Sequence, residues 1–332
     1  MLKNFYYNCN KLGSIEKLQL KEIKKKSLKK NNILVHIHAI GLNYVDILMI
    51  RGKYQHKIQP PFIPGIEACG IIVEENCNNK NILNKKVIIN KKGGCFSEVV
   101  EVSINEIIFI PKEIDSALAA GSFVNSLTSY ISLCKIIKLK KSQNILITGA
   151  SGGVGSALIK LAKSIGANVI AIISDKKKEN FVRKIGAKST IMLKSEELKN
   201  ISNHKDKYKV DVIIDINGLI KSKKILSFLR WNGKYVILGF MDNNFYNIPT
   251  QQILIKGLTI YGVRAGEFLK KSTNKRTIIN SVIKIIKNEN INDQNYKLVS
   301  FKNLKQGLVK LQNRDNQGKN IVITKYYKKR EE

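Results

Sequence analysis

Disulfide frameworks are the first thing this sequence leaves out. Its five cysteines, at 9, 69, 77, 95 and 134, are odd in number and widely spaced, and no C-x-x-C occurs. That pattern excludes a disulfide scaffold or zinc knuckle and points to reduced structural thiols in a cytoplasmic protein. Five prolines and one Trp in 332 residues exclude a Pro-rich or fibrous class. No apolar run reaches the ~18 residues of a membrane span. Residues 1–10 lack the basic-then-apolar layout of a secretory leader. No Ser/His/Asp set or carboxylate pair stands out, so hydrolase chemistry has no support. What remains has globular proportions, 43% hydrophobic and 25% charged. At ~150 residues per domain the length suggests two domains.

Acidic residues are also scarce, 25 against 58 basic ones, for a net charge of +33. Such a balance raises the question of nucleic-acid binding. Yet only seven of the basic residues are Arg, and the other 51 are Lys spread along the whole chain. Lys, Asn and Ile are all abundant and share A/T-rich codons, so compositional drift raises them together. A solvated Lys surface follows, with nucleic-acid affinity at most weak, salt-dependent and non-specific.

The first third reads as β-rich, with strands expected at 33–40, 70–75, 86–89 and 96–102. His36 and His38 alternate within the first of these. They could ligate a metal, but they read more simply as ordinary strand residues. Pro60, Pro61, Pro64 and Gly65 mark an irregular loop, Gly93-Gly94 a turn, and Lys24–Lys26 with Lys29 and Lys30 a solvated turn. From about Asp115 the rhythm changes. A helix at 116–133 leads to a strand at 144–148, a helix at 153–165 and a strand at 169–173. A helix at 177–185, a strand at 210–215, a helix at 222–229 and strands at 235–239 and 258–263 follow. This alternation predicts a parallel sheet with crossover helices. A helix at 276–287 and a strand at 321–325 complete the chain.

The strongest signal is ILITGASGGVG at 145–155, between an apolar strand and an amphipathic helix. Ala150, Gly152 and Gly155 take the three positions of a G-x-G-x-x-G fingerprint, with Gly153 and Val154 completing the loop. Ala150 allows the tight turn, Gly152 lets backbone N–H groups approach a pyrophosphate, and Gly155 lets helix and sheet pack closely. The helix N-terminus adds partial positive charge and unpaired donors. Nineteen residues on, the second strand ends at Ser174 rather than at an acid, followed by Asp175 and three lysines ending at Lys178. A short hydroxyl beside a Lys cluster fits a 2′-phosphate and favours NADPH. A shift of one residue would put Asp175 on the ribose and favour NADH.

Taken together, these motifs are specific. GLNYVD at 41–46, RGKY at 51–54, PFIPGIEACG at 61–70, GGCFSE at 93–98 and VNSLTSY at 124–130 join the glycine loop, IGA at 185–187 and residues 257–266. Over nearly all of its length the chain resembles the zinc-free quinone oxidoreductase, zeta-crystallin-like branch of the medium-chain dehydrogenase/reductase superfamily. It departs from that pattern in a short Asn-rich loop near 76–84, and in VRAG at 263–266 where a Trp or Phe is common. Zinc-dependent relatives carry a catalytic Cys at the position of Asn43, a His at that of Ile66 and a four-Cys lobe absent here. Zinc needs thiolate and imidazole donors, so no metal is expected.

The resemblance implies an α/β protein: a GroES-like β-rich catalytic domain, 1–122 and 260–332, and a Rossmann doubly wound parallel-sheet domain, 123–259. It implies hydride transfer from NADPH, bound in the cleft, to a quinone or other electron-poor α,β-unsaturated carbonyl. Asn43 should lie near the nicotinamide ribose, unless it only bonds its own loop. Tyr54 should contact the acceptor or assist protonation, or else simply pack. Thr128 should face the nicotinamide amide, Gly239 and Phe240 should line the cofactor cleft, and Arg264 should reach a phosphate or the pocket mouth. A homodimer through edge strands near 258–263 is expected. Two other readings stand beside this one: an enoyl or 2-alkenal reductase of the same superfamily, and a polyanion (RNA)-binding protein on a retained dehydrogenase fold.

Overall fold

Two kinds of strand pattern give two kinds of sheet. The computed structural model describes residues 3–24, 27–77, 80–192, 209–218, 225–239, 248–290 and 295–328. The chain divides into two compact units, Met1–Val124 with Ile283–Glu332, and Asn125–Val282.

In the first unit most pairing is antiparallel. β1 (Phe5–Asn8) and β2 (Gln19–Glu22) form a small ladder of their own. β3 (Asn32–Gly41), β4 (Glu67–Glu75), β5 (Lys86–Asn90), β6 (Val99–Ser103) and β7 (Ile107–Phe109) join two strands from the chain's C-terminal part, β14 (Tyr296–Ser300) and β15 (Lys319–Ile323). The order is β14-β15-β3-β4-β5-β7, with β6 paired to β3. β3 shows the period of two that a half-buried strand requires: Ile33, Val35 and Ile37 are fully buried, and His36 and His38 alternate with them. His36 stacks on Tyr326 at 4.1 Å between ring centres. Burial pushes His38 down to about 4 from 6.5. Both rings are therefore packed strand residues, and among the described residues no group of three metal-ligating side chains gathers. All five cysteines are free thiols. The core gathers Ile33, Ile37, Ile47, Ile72, Phe96, Leu304 and Val322.

The second unit holds a six-stranded parallel sheet. Its strands are β8 (Asn144–Ile147), β9 (Asn168–Ile173), β10 (Ser189–Met192), β11 (Val210–Asp215), β12 (Leu229–Ile237) and β13 (Thr259–Gly262), in the order β10-β9-β8-β11-β12-β13. β8 has β9 on one side and β11 on the other, so the winding reverses there. In doubly wound sheets that reversal marks the ligand crevice, at the carboxyl ends of the strands. β8, β9 and β11 are almost wholly apolar, as strands covered on both faces must be.

Helices follow the chain as α1 (Tyr44–Ile50), α2 (Ser116–Tyr130), α3 (Gly153–Ile165), α4 (Glu179–Ile185), α5 (Thr250–Lys256), α6 (Ala265–Lys271), α7 (Lys275–Lys287) and α8 (Leu304–Gln312). α2 runs on into a π-helical stretch, Ile131–Ile136. Together, Ser116–Ile136 is long and apolar enough to cross a membrane by length and composition alone, but most of its apolar part is buried inside the protein, as suits a core helix. α3 ends where expected, at Gly166 in the left-handed region with φ 88°.

Two expectations need correction. The chain returns to the first unit at Ile283 rather than at 260, because β13 pairs in parallel with β12 and belongs to the second sheet. Of the helix expected at 222–229, Ile225–Phe228 is a 3₁₀ turn and Leu229 already begins β12, pairing with Val210; residues 222–224 lie outside the described residues. Phe240, Lys25 and Lys26 lie there as well.

Candidate active site

The glycine loop grows from β8. Thr148 follows the strand and Gly149 turns with φ 58°, a left-handed conformation open to glycine. A buried acid missed from the sequence fixes this turn. Asp215, at the end of the neighbouring β11, accepts hydrogen bonds from Thr148 Oγ1 at 2.9 Å, Tyr235 OH at 2.5 Å, and the Asn217 and Gly218 amides. Thr148 Oγ1 in turn accepts from the Ile216 amide at 2.9 Å. Burial raises the Tyr235 hydroxyl above its ordinary value of 10, and the Asp215 carboxylate adds to the effect, so Tyr235 remains a donor. An acid ending the apolar run VDVIID was the available sequence signal.

The three fingerprint positions separate physically. A Cβ on Gly155 would lie 2.3 Å from Gly149 O and 2.7 Å from Ala150 Cα, so the fold itself demands glycine there. A Cβ on Gly152 would meet only Gly149 O, at an ordinary 3.4 Å. Gly152 has extended backbone, φ −83°, and begins α3 without a side-chain cap. The space beside it is not filled by protein. It therefore suits a pyrophosphate on the helix's first N–H groups, those of Gly153, Val154 and Gly155. Ala150 is fully buried at the turn.

β9 runs parallel to β8, and Ser174 follows its last residue. Lys178 Nζ lies 3.5 Å from Ser174 Oγ. Asp175 follows Ser174 in the chain. Its carboxylate caps the Lys176–Lys178 turn, accepting from the Lys177 amide at 2.9 Å. A hydroxyl and an ammonium thus stand together at the carboxyl edge, where a 2′-phosphate fits.

The other expected residues of this unit are dispersed along it. Thr128 is half-buried on α2, its carbonyl accepting from Ser132 Oγ at 2.7 Å. Gly239 follows β12, where a Cβ would lie 3.1 Å from Ile216 O. Arg264 precedes α6, 3.8 Å from Glu267, and lines a cavity of about 500 Å³ with Val263, Phe268 and Lys271.

Asn43 and Tyr54 belong to the first unit. Tyr54 is half-buried, edge-on to His56 at 5.6 Å. Asn43 is only 8% exposed and precedes α1. Its Nδ2 donates to Gly41 O at 3.0 Å and to Glu67 Oε2 at 2.9 Å. Its Oδ1 accepts from Lys319 Nζ at 2.6 Å, and Lys319 also pairs with Glu67 Oε2 at 3.1 Å. Gly41 has to be glycine to admit this cluster: a Cβ there would lie 2.6 Å from Glu67 Oε2 and 2.1 Å from Ala120 O. Zinc does not fit these residues. Asn43 and Ile66 supply no thiolate or imidazole, and a buried ammonium already sits against Asn43 and Glu67.

Asp46 lies beside this cluster and holds the loop. Its carboxylate accepts from the Asn43 amide at 2.8 Å and the Ile66 amide at 3.1 Å. Burial pushes Asp46 up to about 7 from 3.8, helped by Glu67 and opposed by those two amides and Lys319. The unfolded carboxyl ionises first as pH rises, so the unfolded state binds fewer protons between these values. The contribution of Asp46 to stability is therefore full below 3.8 and lost as pH rises through about 7. Asp46→Asn should accordingly gain in Tm on the wild type between about pH 5 and about pH 8. A constant Tm difference across that range would show that Asp46 does not titrate there.

Comparison with known proteins agrees with this architecture. Residues 29–112 match the alcohol dehydrogenase GroES-like domain, and residues 153–283 match the zinc-binding dehydrogenase domain. The quinone oxidoreductase-like protein 2 homolog of Nematostella vectensis is 30% identical over 266 residues, 79% of this chain and 72% of that protein. Quinone oxidoreductase 1 of Escherichia coli is 30% identical over 239 residues, 69% of this chain and 71% of that protein. The crystal structure of Escherichia coli quinone oxidoreductase complexed with NADPH superposes with TM-score 0.83 over 96% of this chain and 99% of that one, at 23% identity. A GroES-like unit without zinc ligands, a doubly wound sheet with its glycine loop at the reversal, and this degree of identity lead to one assignment: the chain belongs to the zinc-independent quinone oxidoreductase, zeta-crystallin-like branch of the medium-chain dehydrogenase/reductase superfamily.

Proposed function

We propose that the protein reduces a quinone or other electron-poor α,β-unsaturated carbonyl with NADPH and without a metal. The observation that carries this reading is the Lys319 ammonium held between Asn43, at the position of a zinc ligand in zinc-dependent relatives, and Glu67, next in the chain to Ile66 at the position of another. Without a Lewis acid, polarising an alcohol for oxidation is hard. An acceptor that carries its own electron demand needs only orientation and a dry site.

NADPH supplies the hydride when bound. The free N–H groups at the start of α3 hold its pyrophosphate, and Ser174 with Lys178 reads the 2′-phosphate. Thr128, Gly239 and Arg264 would line its path, and Asn43 would serve the nicotinamide ribose. The Tyr54 hydroxyl faces the acceptor. The test is a panel of benzoquinones, enals and enoyl thioesters with NADPH oxidation followed by absorbance. Benzoquinones should give the highest kcat/KM, unchanged by chelator. Preferred turnover of enoyl thioesters would move the protein to the rival reductase reading, and loss of activity in chelator would overturn the metal-free one.

We also infer a homodimer. Among the described residues β13 is an edge of the six-stranded sheet, and such an edge presents a row of backbone groups for pairing. The helix leading into it exposes Leu254 at 81% and Ile255 at 70%, and the neighbouring Trp231 is 74% exposed. A second copy pairing along β13 would cover both the edge and this apolar patch. Light scattering should return twice the chain mass, and Trp231→Lys with Leu254→Lys should return one. A monomeric wild type at micromolar concentration would overturn the inference.

A further inference from the structure

We propose that Lys319 is a positioning residue for hydride transfer: its buried ammonium locks the amide of Asn43 in one orientation toward the cofactor. The proposal rests on the reading of Asn43 as a cofactor-binding residue.

The sequence separates the two residues by 276 positions, and the sheet brings them together. β15 pairs antiparallel with β3, with Ile321 opposite Gly41. The Leu42 amide donates to Asn320 O at 3.1 Å, carrying the register one step beyond the strand. Two residues beyond the Ile321–Gly41 pair, Lys319 therefore faces Asn43. β4 completes the group, since Ala68 opposite Ile40 puts Glu67 at Gly41. Glu67 is fully buried and Lys319 only 4% exposed.

The chemistry of the partners decides the orientation. An Asn side chain can flip, exchanging its oxygen and nitrogen at little cost when its neighbours both donate and accept. Here they do not. Lys319 can only donate, so it selects Oδ1, at 2.6 Å. The Glu67 carboxylate can only accept, so it selects Nδ2, at 2.9 Å. A flipped amide would set two donors face to face at Lys319 and two acceptors face to face at Glu67. Both Nδ2 hydrogens are committed, to Glu67 and Gly41, and one Oδ1 lone pair goes to Lys319. Asn43 also forms a capping box with Asp46 at the start of α1, so the amide is held in one orientation, its oxygen toward Lys319 and its nitrogen toward Glu67 and Gly41.

A plain counter-ion role for Lys319 explains less. Glu67 is already satisfied by the Val124 amide at 2.7 Å and by Asn43. The shortest contact of Lys319 is to the neutral amide oxygen, not to the carboxylate at 3.1 Å. Buried ion pairs are in general replaceable by neutral groups at small cost in stability. That makes a decisive variant possible.

The experiment compares Lys319→Met, Lys319→Arg, the double variant Lys319→Met with Glu67→Gln, and Asn43→Ala. Each is measured for Tm, NADPH affinity by fluorescence, and kcat and KM with a benzoquinone. The double variant removes both charges and should fold with a Tm close to wild type. Its kcat should still fall about tenfold, while NADPH affinity changes by less than about threefold. Lys319→Arg should recover most of the lost kcat. A double variant with wild-type kcat would reduce Lys319 to a counter-ion and overturn the proposal. If Asn43→Ala lowers kcat and neither Lys319 variant does, the proposal alone fails. If Asn43→Ala leaves kcat intact, the cofactor reading of Asn43 fails and the proposal falls with it.

Discussion

Gly152→Ala should leave the Tm within a few degrees of wild type and weaken NADPH binding by about tenfold to a hundredfold. The two halves of that expectation have separate causes. Inside the protein the added methyl meets only Gly149 O at 3.4 Å, and the backbone φ of −83° is open to alanine, so the fold has no reason to move. The methyl instead fills space beside the first N–H groups of α3. A pyrophosphate drawn there must back away, lengthening several charge-assisted hydrogen bonds at once. Gly155→Ala is the control, with the opposite signature. Its methyl would lie 2.3 Å from the backbone oxygen of Gly149, so the loop or the helix must shift and Tm must fall. Fluorescence titration with NADPH, beside thermal melts of both variants, checks this. Equal Tm losses in the two would mean that residue 152 is constrained by the fold and that the space beside it is not a ligand site.

Lys178→Ala should raise the KM for NADPH by roughly tenfold to a hundredfold and leave NADH turnover nearly unchanged. Lys178 Nζ is 3.5 Å from Ser174 Oγ, and together they form a place for a phosphate at the end of β9. The contact is partly exposed and charge-assisted, worth roughly 1.5–3 kcal/mol. NADH lacks the phosphate and loses nothing. Asp175 does not compensate, because its carboxylate is held by the Lys177 amide as the cap of the following turn. Steady-state rates with both cofactors decide the matter. Equal damage to NADPH and NADH turnover would make Lys178 a general electrostatic or structural residue. A wild type that prefers NADH would mean that Asp175 leaves its cap to reach the ribose.

Local pattern was enough wherever neighbours in sequence make the element. The glycine loop, the span of α3, β11 and the end of α4 at Gly186 are short-range matters of apolar runs, helix period and glycine. The closeness of Ser174 and Lys178 was legible for the same reason, since they lie four residues apart across one turn. α1 was not legible, because YVDILMI is apolar almost all round and carries no period of 3.6. The helix expected at 222–229 fails in its described part for a related reason: a strand neighbour, Val210, captures Leu229.

By itself, then, the sequence determined the two-domain class, the crevice-forming loop and the absence of zinc donors at Asn43 and Ile66, because residue type and near spacing carry each of these. Only the tertiary structure decided the rest. Whether Asp175 reads a ribose or caps a turn depends on where its carboxylate points. Whether Gly152 serves the fold or a ligand depends on what surrounds a missing Cβ. Lys319 looks like one more lysine in a chain with 51 of them, and nothing beside it in sequence marks it as buried. The antiparallel register of β15 on β3 places it against Asn43, because a ladder fixes neighbours by pairing and not by proximity along the chain.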